Sequence, residues 1–307
     1  MRIMELPLVV GADGSESSLQ AVDWAVDEAA RHGLPLRLVH ASLWERYEGA
    51  GLADEPGGPP ERGRAEEVVH GAAERVRRRD PHVKCSTDVW PDDAETALLR
   101  ESRNATALVV GHRGRGQVAE MLLGSVGLAM ATRADCPVIV VRGTAESRAG
   151  EHGRIVLGVG EATSEETRGS AGPKAEAGTA SVRFAFREAG ARRSVLVAVR
   201  SWRRPAHRTM DHPLLTGEPA HQHEDHAAEL LDEALRVLER EHPGIEVHRT
   251  LVEGPARKVL LDLATDADLL VVGSRRQPGH VGDQLGRVPH TLLHHADCPV
   301  AVVPEWG

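Results

Sequence analysis

The chain carries its own sequence twice, and that repeat constrains every other inference. Residues 134–141 read ADCPVIVV and residues 296–303 read ADCPVAVV, an offset of 162. ALVVG at 107–111 returns as LLVVG at 269–273, again at 162. AVDWAVDEA (21–29) resembles SVRFAFREA (181–189) at 160, and Gly11 of the first apolar run falls on Gly158 at 147. A fixed order of matches along 307 residues means two tandem copies of one domain. The second copy carries about 13 more residues between its first strand and first helix. The spacing places one domain at 1–143, a small, polar linker at 144–153 and a second domain at 154–307.

Each copy alternates short apolar runs with amphipathic stretches. In copy 1, strands are expected near 6–12, 36–41, 82–89, 108–110 and 138–141. Leu19, Val22, Ala25, Val26 and Ala29 recur at helical spacing until Gly33. Further helices are expected over about 62–79, after Asp92 or Asp93, and over about 126–133. Copy 2 repeats the scheme, with strands near 154–159, 194–200, 244–252, 268–272 and 299–303. Continuous apolar strands suit a parallel sheet covered on both faces, so the fold class is α/β: two tandem Rossmann-like, doubly wound domains. The stretch from Glu55 to Pro60 is expected to be an irregular loop.

Chemistry concentrates after the fourth strand. Gly111 and Gly114 are followed by Gly124-Ser125, a spacing of G-x2-G-x9-G-S. Glycines at the end of a parallel strand let backbone amides approach a ligand in the crevice at the strands' carboxyl ends. Gly124-Ser125 opens a helical run, whose free N–H groups and dipole favour an anion. Arg113 and Arg115 add charge, and Ser125 adds a hydroxyl donor. The arrangement reads as a polyphosphate cradle; a tight turn with helix packing is the plainer alternative. Asp13, just past strand one, borders the same crevice and is placed either to face a ribose or Mg²⁺ or to cap the DGSES turn.

With G-x2-G-x9-G-S, the opening VVGADGSESS, the strand LRLVHA and the ending ADCPVIVV, the chain resembles the universal stress protein family over nearly its whole length. The resemblance implies five-stranded parallel sheets of order 3-2-1-4-5, and membership in the branch that binds ATP. It implies that Gly111, Gly114, Gly124 and Ser125 lie along the phosphates and ribose, and that Val126 offers a helix amide. It places Ala12 and Asp13 beside the nucleotide, and Ala41 at the adenine edge. ATP, with Mg²⁺, is the expected cofactor, and a cytoplasmic stress-response regulator the expected function. The fifth strands, VIVV and AVVP, are expected to pair about a pseudo-twofold axis. A homodimer through edge strands and an unidentified regulatory protein partner are expected as well.

Copy 2 departs from the pattern. At its matching positions Gly273 and Gly286 persist, but Gly114 becomes Arg276, Ser125 becomes Arg287 and Asp13 becomes Gly160, beside Glu161. Copy 2 is therefore expected to bind ATP weakly or not at all; the alternative is an anion held by Arg275, Arg276 and Arg287.

Other chemistry is set against these. A net charge of −9 and 3% aromatics disfavour nucleic acid. No apolar run approaches a membrane span, and the N-terminus lacks a signal-peptide build. Cys85, Cys136 and Cys298 are too few for a disulfide framework and suit a reducing, cytoplasmic setting, with all three expected to be packed. His221, His223 and His226 form a weak metal pattern on a helix start, more simply read as solvated. There is no G-x4-G-K-[ST] loop, G-x-S-x-G elbow or H-E-x-x-H. Slow ATP hydrolysis or phosphotransfer with His112 as base, and a nucleotide-free dimeric scaffold, remain the alternatives to nucleotide binding without turnover.

Overall fold

The computed structural model describes residues 5–43, 61–114, 123–160, 179–203, 220–276 and 285–306. The loop 55–60, Arg115, Gly116 and the inserted stretch 161–178 lie outside them. In the first copy β1 (Leu8–Gly11), α1 (Glu16–His32), β2 (Leu36–Ala41), α2 (Glu61–Arg79), β3 (Cys85–Trp90), α3 (Ala94–Ser102), β4 (Ala107–Gly111), α4 (Ser125–Arg133) and β5 (Val138–Val141) follow one another. A short helix, α5 (Ala145–Ala149), leads into the second copy. There β6 (Arg154–Gly158), α6 (Ala180–Arg192), β7 (Val195–Trp202), α7 (Ala220–Glu241), β8 (Val247–Glu253), α8 (Ala256–Ala264), β9 (Leu269–Arg276), α9 (Arg287–His295) and β10 (Val300–Trp306) repeat the order.

Local signals explain the helix starts. Ser15 caps α1 by accepting from Ser18 N, and Asp93 caps α3 by accepting from Glu95 N and Thr96 N. Arg31 and His32 sit in the last turn of α1, where cations suit the helix dipole. The 144–153 stretch, polar enough to read as a linker, is instead anchored. Thr144 caps α5 and donates from its N–H to Asp297 O at 3.0 Å. Asp268, 1% exposed, accepts from His152 N at 2.9 Å and Arg154 N at 3.2 Å.

The ten strands form one sheet of order β3-β2-β1-β4-β5-β10-β9-β6-β7-β8. Every neighbour is parallel except the central pair, where β5 and β10 run antiparallel. Ile139 faces Ala301 there, and these are equivalent positions of the two copies, so the pairing is self-complementary about a local twofold. The fifth strands are thus spent within the chain, and β3 and β8 are left as the sheet's edges. Each face carries a core that crosses the seam. One joins Leu8, Val22 and Ile139 to Phe186, Leu196 and Leu235; the other joins Val9, Leu108 and Met130 to Val156, Leu270 and Leu292. Cys136 and Cys298 are buried in the second core, whereas Cys85 is only half-buried on edge strand β3. No helix among the described residues is long and apolar enough to cross a membrane.

On the α1/α6 face, four side chains related by the same twofold interlock. Glu28 matches Glu188, and His32 matches Arg192, at the repeat offset of 160. Arg192 Nη2 reaches Glu28 Oε2 at 2.5 Å, and His32 Nε2 lies 3.1 Å from Glu28 and 3.3 Å from Glu188. Arg31 also pairs with Glu28, and Arg187 with Glu188. Removing Glu28 or Arg192, the buried pair at the centre, would strand a buried charge. Burial, reinforced by Glu28's negative charge, pushes the Glu188 carboxyl up to about 7. Hydrogen bonds to Glu188 and Glu28 push His32 up to about 9. Glu28 moves the opposite way: Arg192 and the bonds from Glu188 and His32 outweigh its burial and hold it well below the usual carboxylate range.

The signs follow from linkage. His32 and Glu188 both bind protons more tightly in the folded state, so their contribution weakens as pH rises through 7 and then 9. Glu28 contributes above its ordinary pKa and is lost on acidification. The cluster therefore stabilises most near about pH 5. Urea denaturation at about pH 5, 7 and 9 is expected to give falling stability, and Glu188→Gln is expected to flatten the fall between about pH 5 and 7.

Candidate functional site

The crevice of copy 1 lies beyond the carboxyl ends of β1 and β4, where strand order reverses. The chain leaves β1 through Ala12, whose N–H donates to Val39 O at 2.9 Å and whose carbonyl lies 2.7 Å from His40 Nδ1. A carbonyl only accepts, so His40 carries its proton on Nδ1, and this buried histidine fixes the β1 exit. Asp13 follows. Its Oδ1 accepts from Ser15 N at 2.9 Å and Ser15 Oγ at 2.6 Å, while its own N–H meets Ser18 Oγ at 3.3 Å. Asp13 thereby shapes the turn that presents Ser15 as the α1 cap, and its second oxygen faces the glycine loop.

The two glycines after β4 have different tasks. A Cβ on Gly111 would lie 2.6 Å from both the carbonyl and the hydroxyl oxygen of Ser17, so its missing side chain is what lets α1 pack on β4. A Cβ on exposed Gly114 would meet only Asp13 Oδ2, at 2.9 Å. Gly114 and Asp13 thus face each other across the crevice. Gly124 closes the described end of the loop: its N–H donates to His112 O at 2.9 Å, and it precedes α4 without a side-chain cap. Ser125 is exposed at that helix start, whereas Val126 packs on the second core. Ala41 ends β2 opposite Trp90 of β3.

Ser17, Ser15 and His40 are parts of this site that the motif did not single out. Ser17 Oγ accepts from Arg113 N at 3.2 Å and lies 3.0 Å from His112 Nδ1. His112 Nδ1 also lies 3.3 Å from Val141 O. Burial, with Arg113, Arg142 and Arg148 nearby, lowers the His112 pKa, although the Val141 carbonyl opposes the shift. The imidazole is engaged in holding the loop against α1 and β5. A serine-rich turn, SESS at 15–18, was the available signal, but such turns usually serve capping alone.

Copy 2 builds a different surface from the same strand order. Where β4 ends at Gly111, β9 continues through Ser274 and Arg275 to Arg276, each paired in register with β10. The residues matching His112, Arg113 and Gly114 are therefore strand, not loop. Gly273 packs against Glu305: a Cβ there would lie 2.6 Å from the carboxyl carbon. Glu305 Oε1 accepts from Ser181 Oγ at 2.5 Å and Ser181 N at 3.3 Å, so the chain's own carboxylate sits at the start of α6. Arg200, which matches His40, donates through Nη1 to Gly160 O at 2.7 Å, one residue beyond the position matching Ala12. Arg275 and Arg287 are exposed; the Arg276 side chain, with Glu161, lies outside the described residues.

The histidine pattern at 221–226 is not a cluster that can be traced: the His221 side chain lies outside the described residues and His226 is exposed. The group of three His, Cys, Asp or Glu ligand atoms brought together among the described residues is Glu28, His32 and Glu188, where arginines already meet the carboxylates.

A model of the universal stress protein family matches residues 6–142 and 174–304. The chain is 30% identical over 309 residues to a universal stress protein of Mycobacterium tuberculosis, with 97% of each covered. It is 29% identical over 309 residues to one of Mycolicibacterium smegmatis, also with 97% of each covered. The fold is similar to that of a universal stress protein from Archaeoglobus fulgidus, at TM-score 0.64 and 18% identity, over 97% of this chain and 98% of that one.

The two glycines are expected to respond differently to a methyl group. Gly111→Ala drives Cβ into the Ser17 backbone and should cost about 1–3 kcal/mol in urea denaturation. Gly114→Ala presses only on a side-chain tip and should stay within about 0.5 kcal/mol of the parent.

Proposed function

This chain belongs to the universal stress protein family, and on that premise we propose that its first copy binds ATP as a regulatory ligand. The reading is carried by one observation: Asp13 Oδ2 lies 2.9 Å from where a Gly114 Cβ would be, beside the start of α4, which has no side-chain cap. That cradle offers backbone amides and a helix terminus to an anion on one side and a carboxylate to ribose hydroxyls on the other. Gly114, Gly124, Ser125 and Val126 would line the phosphates, with charge from Arg113. Ala12, Asp13 and Ala41 would border the nucleoside. Gly111 contributes through the packing of α1. Mg²⁺ would sit mainly on phosphate oxygens, with Asp13 reaching it through water.

Retention rather than rapid turnover is the favoured consequence, because His112 is engaged by Ser17 and Val141. Nucleotide bound to one state of the chain shifts its population toward that state, which is how a cytoplasmic stress-response regulator would pass the signal to a protein partner. Copy 2 is the unliganded half in this proposal: its glycine loop is replaced by strand, and Glu305 sits at the start of α6.

Mass spectrometry of small molecules released from freshly purified, denatured protein should find ATP, and calorimetry should give about one nucleotide per chain. Gly114→Ala and Asp13→Ala are each expected to weaken ATP at least about tenfold, some 1.4 kcal/mol, with folding preserved. Absence of heat with millimolar ATP would refute the assignment.

A further inference from the structure

Four buried side-chain nitrogens among the described residues have no hydrogen-bond partner: Arg113 Nε, Arg142 Nε, Arg192 Nε and His294 Nε2. Arg192 Nε has its charge met by Glu188 at 3.6 Å. The other three belong to one place, the seam where α9 of copy 2 meets the glycine loop of copy 1. Arg142, at the end of β5, donates through Nη1 to Leu293 O. The next residue, His294, receives the N–H of Leu123 on Nδ1 at 3.3 Å. Leu123 precedes Gly124, where a Cβ would lie 3.8 Å from Arg113 Cα. These contacts bring Arg142 and His294 to the loop that carries Arg113, close enough for Arg113 to act electrostatically on Arg142 and Arg142 on His294.

All three orphaned atoms are donors. Each arginine Nε bears a hydrogen at any working pH. Because His294 Nδ1 accepts from Leu123, its remaining proton is on Nε2. The charges are of one sign: Arg113 and Arg142 lower the pKa of His112 together with Arg148, and burial lowers that of His294. Asp297 acts favourably on Arg142 but forms no ion pair with it. A buried donor without an acceptor costs about 1–3 kcal/mol, so three in one place call for a shared acceptor.

We propose that the seam formed by Arg113, Arg142 and His294 binds an oxyanion of the phosphate class, so that the second copy completes an anion site beside the first copy's glycine loop. Planar guanidinium edges and an imidazole N–H match the several acceptor oxygens of a phosphate. The oxyanion is either free phosphate or the terminal phosphoryl group of a bound nucleotide. In the first case the site stands without the nucleotide reading; in the second it deepens it. Either way it assigns the degenerate copy a direct part in recognition.

Titration of the full chain at low salt with inorganic phosphate, followed by phosphorus NMR and calorimetry, tests the first source. Parallel titrations with ATP and AMP test the second. Saturable phosphate binding weakened at least tenfold by Arg113→Gln and by Arg142→Gln, and unchanged by Arg64→Gln at an exposed position of α2, supports the site with free phosphate as ligand. No phosphate binding, but a loss of ATP affinity at least tenfold greater than the loss for AMP in the same variants, supports it with the nucleotide as source. Arg113→Gln guards against misfolding, since its side chain is an orphan whose removal leaves the backbone bond to Ser17 intact. If phosphate binds, is weakened by both variants, and ATP does not bind, the nucleotide reading fails and this one stands; phosphate binding that neither variant weakens lies elsewhere and overturns the seam site. If phosphate does not bind and the variants treat ATP and AMP alike, or nothing binds, the seam site is overturned.

Discussion

Everything in this molecule depends on the antiparallel pairing of β5 with β10. The two strands are copies of one sequence, and Ile139 and Ala301, their equivalent residues, meet at the centre of the seam. An antiparallel pair of like strands is self-complementary, so one interaction satisfies both edges at once. It converts two five-stranded sheets into one of ten and lets each face carry a core that spans both copies. It also sets α1 against α6, where Glu28, His32, Glu188 and Arg192 interlock, and brings α9 to the glycine loop of the other half.

Duplication gave two crevices, and a few substitutions made them unlike. Copy 1 leaves its fourth strand at Gly111 and turns; copy 2, with arginine in place of Gly114, continues as strand to Arg276. The longer β9 has a longer β10 beside it, and that extension carries Glu305 to the N-terminus of α6. One copy therefore presents amides and a helix start, and the other supplies an internal carboxylate at a helix start. A universal stress protein built this way keeps a symmetric frame and an asymmetric chemistry.

Much of this was legible in the residues. The repeat gave the number of domains, apolar runs gave the strands, and Ser15, Asp93 and Gly33 sit where capping chemistry puts them. The motif also pointed to the loop after β4. It did not separate the glycines: Gly111 and Gly114 look alike in sequence, but one faces Ser17 and the other Asp13. Nor did it reveal the role of Ser17 or His40, because a serine in a helix-start turn and a histidine in a strand have commoner uses. The polar 144–153 stretch read as a linker because composition records solubility and not the buried carboxylate of Asp268 that holds it.

The order of residues along the chain was enough to fix that there are two α/β units, which residues are apolar at which period, and that the second unit has arginine where the motif has its second glycine. These are local properties, set by spacing along the chain. Which groups meet is a property of the folded chain: Glu28 with Arg192, Glu305 with Ser181, and Arg142 and His294 with the loop that holds Arg113. Those partners lie more than a hundred residues apart, and their encounter depends on strand register and a twofold seam that no short window of sequence encodes.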